Sequence, residues 1–89
     1  MITKDILIIN RLGLHARAAT KLAKTAGQFG SKITVQFGNS NADAKSVMSL
    51  MLLAATKGST LIVSSDGKDE QAALQAIEDL INDRFGEDE

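Results

Sequence analysis

The stretch Ile33-Thr34-Val35-Gln36-Phe37-Gly38-Asn39-Ser40-Asn41 decides the fold. Ile33, Val35 and Phe37 alternate with Thr34 and Gln36, the period-two pattern of a strand with one buried and one wetted face. Gly38-Asn39-Ser40-Asn41 supplies turn chemistry and leads into a short extended piece around Ala42-Asp43-Ala44. A strand that alternates in this way belongs to a mostly antiparallel sheet with one face left open.

Working outward, Ile6-Leu7-Ile8-Ile9 reads as a first strand ending at the polar Asn10-Arg11. Leu12-Gly13-Leu14-His15 is a connection in which Gly13 permits a tight bend. Ala16, Ala19, Leu22, Ala23 and Ala26 then recur at helical spacing, and Gly27 and Gly30 mark the stop. Ser46 is a good N-cap for a short helix over residues 47–53, with Lys57-Gly58 beyond its end. Leu61-Ile62-Val63 is the last strand, turned at Asp66-Gly67. Ala73, Leu74, Ile77, Leu80 and Ile81 form the cleanest amphipathic helix, with Asp69 and Glu70 suitably acidic at its start. Strands and helices in this order predict an α+β domain of two layers, one sheet with helices on a single face, over residues 1–89.

Eighty-nine residues support one thin core and no deep cleft. The chain has no cysteine, which excludes disulfides, thiolate metal sites and thiol nucleophiles. No motif points to a metal or cofactor. The first residues lack the features of a signal peptide, and no apolar run is long enough for a membrane span. The expectation is a cytoplasmic protein without membrane insertion. The net charge of −1 conceals an asymmetry. Positions 11–57 carry seven basic residues against the single acid Asp43, whereas positions 66–89 carry nine acids against Lys68 and Arg84. Such a distribution favours an acidic partner or a phosphorylated ligand on the first half.

His15, the only histidine, sits at the start of the first helix. Backbone amides there lack internal partners and the helix end is partially positive, so a phosphate is welcome, with Arg17 adding charge-assisted hydrogen bonds. Phosphoryl transfer needs chiefly positioning and charge stabilisation, so few residues suffice. A lone histidine in this position also serves as a capping or surface residue, and the local five residues do not choose between these roles.

Gly13-Leu14-His15-Ala16-Arg17, Ala44-Lys45-Ser46-Val47-Met48 and Gly67-Lys68-Asp69-Glu70 together resemble the HPr family of bacterial phosphotransferase systems over essentially the whole chain. The resemblance implies an open-faced β-sandwich of four antiparallel strands and three helices. It implies a phosphocarrier, not an enzyme in its own right, whose His15 receives a phosphoryl group from enzyme I, derived from phosphoenolpyruvate, and passes it to IIA proteins in sugar transport. Arg17 would assist the phosphoryl group. Ser46 resembles the regulatory serine that an HPr kinase/phosphorylase modifies in many members. The family usually has proline where this chain has Ala18, which leaves the first helical turn less rigid.

Val47, Met48, Met51 and Leu52 are crowded for so short a helix, so part of the set is expected to be exposed. With Thr20, Lys24 and Lys45 they would form a docking surface around His15, on a chain expected to be monomeric. Nucleic acid is a poor partner, because there are only three phenylalanines and no tyrosine or tryptophan, and the second half is acidic. A nitrogen-related phosphotransferase carrier and a mainly regulatory relative stay open as alternatives.

Overall fold

The computed structural model describes residues 1–88. Four strands, β1 (Ile2–Leu7), β2 (Lys32–Phe37), β3 (Ser40–Asp43) and β4 (Thr60–Asp66), form one antiparallel sheet in the order β1-β4-β2-β3. Three helices, α1 (Ala16–Ala26), α2 (Val47–Leu52) and α3 (Glu70–Asn82), complete an open-faced sandwich, and a single 3₁₀ turn at Arg84–Gly86 follows.

The alternation in β2 works as its sequence predicts. Ile33 and Val35 are buried under the helices, while Thr34 and Gln36 lie on the open face. The β2–β3 hairpin pairs Thr34 with Asp43 through Phe37 with Ser40. The first strand starts earlier than its apolar run suggests. It pairs from Ile2 opposite Ser65 to Leu7 opposite Thr60, because β4 is long enough to pair with all six residues. A backbone ladder does not require apolar side chains, and Thr3 and Ser64 face each other across it through their hydroxyls at 3.1 Å. Ile8 lies beyond the strand yet keeps two backbone hydrogen bonds, donating to Ser59 and accepting from Gly58.

α1 buries Ala18, Ala19, Leu22 and Ala26, and α3 buries Ala73, Leu74, Ile77 and Ile81. The α1 stripe is rotated slightly from expectation, with Ala18 inside and Ala16 exposed. Small residues on this face let α1 approach the layer beneath closely. Asp69 occupies the N-cap position of α3 but does not cap it. Its carboxylate reaches across to the α1–β2 loop, accepting from the amides of Gly30 and Ser31, each at 2.9 Å, and from the Ser31 hydroxyl. The last of these bonds, from the Ser31 hydroxyl, is the strongest influence holding the Asp69 carboxyl below its ordinary range, with the Gly30 amide next.

After α3 the chain reverses sharply. Arg84 and Phe85 both adopt left-handed backbone conformations, with φ of 55° and 54°. Each costs an L-residue roughly 1–2 kcal/mol. Burial of the Phe85 ring, which is 1% exposed, offsets much of this at roughly 1.5–3 kcal/mol. The Lys21 ammonium fixes the reversal by donating to the Phe85 carbonyl at 2.5 Å. The reversal brings Glu87 back over the start of α1.

Candidate functional site

The connection from β1 to α1 is held from below by the loop after α2. Leu14 donates its amide to the Ala55 carbonyl at 2.9 Å. Gly13, at φ +69°, lies so close to that loop that a Cβ would stand 2.6 Å from the Ala55 oxygen and 2.8 Å from Thr56 Cα. Only glycine fits here, both for its dihedral and for the approach. His15 is thereby delivered as the N-cap of α1, in extended conformation.

The two ring nitrogens of His15 face different partners. Nδ1 accepts from the Arg17 amide at 3.3 Å, so it lies at the positive end of α1. Nε2 lies 2.5 Å from Glu87 Oε2. An ionised carboxylate can only accept, so the Nε2 proton is donated to it and Nδ1 of the neutral ring presents its lone pair. The other Glu87 oxygen accepts from Asn10 Nδ2 at 2.8 Å, and the same Asn10 nitrogen donates to the Gly13 carbonyl at 2.8 Å. Fully buried three residues beyond β1, Asn10 ties the histidine loop to Glu87. Burial works to raise the Glu87 carboxyl. The hydrogen bonds from Asn10 and His15, with the neighbouring His15 ring and Lys21 ammonium, outweigh it and hold the group below its ordinary value.

A shallow basin beside this contact, of about 320 Å³, is lined by Arg11, Leu12, Arg17, Lys21, Gly86, Glu87 and Asp88. Three cations thus surround two acids from the far end of the chain. Arg17 lines this basin with an exposed side chain and meets His15 through its backbone amide. Ala18 is fully buried, and its amide lies in the first turn of α1, where no intrahelical acceptor exists.

Ser46 is the N-cap of α2, its hydroxyl accepting from the Ser49 amide at 3.2 Å. α2 buries only Leu50. Met48 is 70% exposed, Met51 40% and Leu52 79%, while Val47 is half-buried. Thr20 and Lys24 are exposed on α1, and Thr20 donates its hydroxyl proton to the Ala16 carbonyl. Lys45 is exposed as well, and its ammonium donates to the Phe29 carbonyl.

Two residues of this region escape a reading of the sequence. Glu87 stands in an acidic run that reads as a solvated tail, Glu87-Asp88-Glu89, of which Glu89 lies outside the described residues. Asn10 reads as a strand terminator. The one available signal is Phe85, an isolated aromatic in a polar stretch, which betrays an anchor near Glu87. Among the described residues no group of three or more His, Asp or Glu is placed to hold a metal ion, and no helix is long and apolar enough to cross a membrane.

The family model described as the PTS HPr component phosphorylation site matches residues 2–83. The chain is 49% identical to the phosphocarrier protein HPr of Neisseria meningitidis serogroup A, each chain being covered completely. It is 44% identical over 84 residues to the phosphocarrier protein NPr of Shewanella violacea, covering 94% of this chain and 92% of that one. A crystal structure of HPr from Thermoanaerobacter tengcongensis superposes with a TM-score of 0.95 at 40% identity, with both chains covered in full. The chain belongs to the HPr family, the phosphocarrier proteins of the phosphotransferase system.

Proposed function

We propose that His15 carries the phosphoryl group on Nδ1, receiving it from enzyme I and passing it to IIA proteins in sugar transport. The observation that carries this reading is the Nδ1 lone pair at the start of α1, beside the Arg17 amide. In the acceptance step the lone pair attacks phosphorus, the Nδ1–P bond forms and the bond from phosphorus to the donor group breaks. The donor keeps that electron pair. The transferred oxygens then meet the start of α1, where bonding of Nδ1 to phosphorus releases the Arg17 amide, and the Arg17 guanidinium. Delivery to the next protein is the reverse displacement. His15 is thus a covalent intermediate whose turnover depends on its partners, which suits a site without an enclosing cavity.

The exposed Met48, Met51 and Leu52, with Val47, Thr20, Lys24 and Lys45 around them, form the surface on which an acidic partner docks. Phosphorylation of Ser46 by an HPr kinase/phosphorylase would place about two negative charges beside that patch and repel such a partner. The setting for these exchanges is the cytoplasm.

Incubation with enzyme I and labelled phosphoenolpyruvate tests the assignment. Acid-labile label on the wild-type chain and none on His15→Ala is expected; label retained by His15→Ala refutes it. A second reading, service in a nitrogen-related system, draws on the 44% identity to the Shewanella violacea NPr. The Lys45-Ser46-Val47-Met48 segment favours the sugar system, and competition between IIA proteins of the two systems for the phosphorylated chain decides.

A further inference from the structure

Glu87 lies 72 residues from His15 in sequence, yet its carboxylate is the partner of Nε2 at 2.5 Å. It is held there by three independent devices. Asn10 occupies its second oxygen, the buried Phe85 anchors the preceding reversal, and Lys21 binds the Phe85 carbonyl. The Glu87 side chain is only 13% exposed. Two strained backbone positions are maintained to keep it in place. A solvated acid needs no such mounting.

We propose that Glu87 is a positioning residue and charge partner for His15, which drives phosphoryl transfer by stabilising the positive ring formed when Nδ1 bonds to phosphorus. This rests on His15 Nδ1 as the acceptor. When Nδ1 gives its lone pair to phosphorus, Nε2 keeps its proton and the ring becomes an N-phosphoimidazolium cation. The carboxylate at Nε2 faces that charge directly, at a distance where a charge-assisted hydrogen bond is short and strong. The same ion pair favours the cationic form over neutral phosphohistidine. The cation is the better leaving group, because neutral imidazole departs with the electron pair of the broken N–P bond. Glu87 therefore assists acceptance and keeps the carried group labile for delivery. Arg17, Lys21 and Arg11, which line the same basin, oppose the positive ring but attract the phosphoryl oxygens. The arrangement separates the two charges of the intermediate, carboxylate against the ring and cations against the phosphoryl group.

The experiment compares wild type, Glu87→Gln and Glu87→Ala, each phosphorylated by enzyme I and phosphoenolpyruvate. Gln keeps one acceptor, for the Nε2 proton, and removes the charge, at the cost of the second acceptor that faces Asn10 Nδ2. Three quantities are read: the initial rate of acceptance, the lifetime of phosphohistidine at neutral pH, and the ring ¹⁵N shifts of His15. Glu87→Gln is expected to slow acceptance about tenfold, as loss of a charged hydrogen-bond partner implies, and to lengthen the lifetime. Glu87→Ala is expected to do the same and also to admit an Nδ1–H tautomer visible in the ¹⁵N spectrum. A purely structural role would lower stability without prolonging the lifetime, and amide spectra of each variant separate unfolding from this effect. Wild-type rate and lifetime in both variants, with label still on His15, overturn the proposal while leaving the carrier reading standing. Label on another residue overturns the carrier reading itself.

Discussion

Replacing Gly13 by alanine tests how tightly the histidine loop is seated. Two costs are legible. Alanine at φ +69° carries a left-handed penalty of roughly 1–2 kcal/mol. Its Cβ, 2.6 Å from the Ala55 oxygen, also overlaps backbone on both sides of the peptide, so the loop must retreat. Retreat weakens the Leu14 to Ala55 hydrogen bond, 2.9 Å long and worth about 0.5–1.5 kcal/mol. Together these give a loss of about 2–3 kcal/mol. With a urea slope of about 1 kcal/mol/M for so small a chain, the unfolding midpoint should fall by about 2–3 M in a circular-dichroism titration at 25 °C. Gly38→Ala is the internal comparison. Its φ is +60°, but an added Cβ meets nothing within 4 Å, so only the dihedral cost of roughly 1–2 kcal/mol applies. Equal losses in the two variants would refute the seating argument, and an unchanged Gly13→Ala midpoint would refute both parts of it.

Asp69→Asn should destabilise the chain at neutral pH, since three donors in the α1–β2 loop lose a charged acceptor. The folded Asp69 carboxyl lies below its ordinary value, so its contribution is fully present above the unfolded value near 3.8 and is lost as pH falls through the folded one. Stability curves of wild type and Asp69→Asn should therefore converge on acidification, and a constant gap down to pH 2 would contradict this. Ser46→Ala removes the α2 cap and should cost about 0.5–2 kcal/mol, measured by the same urea titration. Ala18→Pro should keep phosphoryl transfer, because the replaced amide has no helical acceptor, while altering phosphohistidine lifetime through a stiffer first turn. Identical lifetimes would mean that Ala18 leaves the site geometry untouched.

Much of the architecture follows from local chemistry. The alternation of Ile33, Val35 and Phe37 and the stripe of Ala73, Leu74, Ile77 and Ile81 report which faces are buried, and burial is what sheet and helix periodicity encode. The beginning of β1 is hidden because Thr3, Lys4 and Asp5 pair through backbone, which leaves no side-chain trace. His15 at a helix start, Ser46 as a cap and an exposed apolar α2 are likewise local facts, readable from spacing. Glu87 is different in kind. Its partner is set by a left-handed reversal at two residues that are not glycine, Arg84 and Phe85, and by a buried asparagine at position 10. Nothing within reach of a periodic pattern joins positions 10, 15 and 87. Asp69 fails the local reading for the same reason, since a helix-start acid is expected to serve its own helix and this one serves a distant loop.

The contact between Asn10 and Glu87 spans 77 residues, nearly the length of the chain. The segments leaving β1, entering α1, leaving α2 and following α3 all converge on the same pole of the molecule. During synthesis His15 emerges 72 residues ahead of Glu87, so the contact on Nε2 forms only after α3 has been made. A chain that stops short of Glu87 therefore exposes an ungripped imidazole, and one folded through the Phe85 reversal presents the complete arrangement. The geometry around the imidazole thereby reports whether the polypeptide has folded through to the reversal after α3.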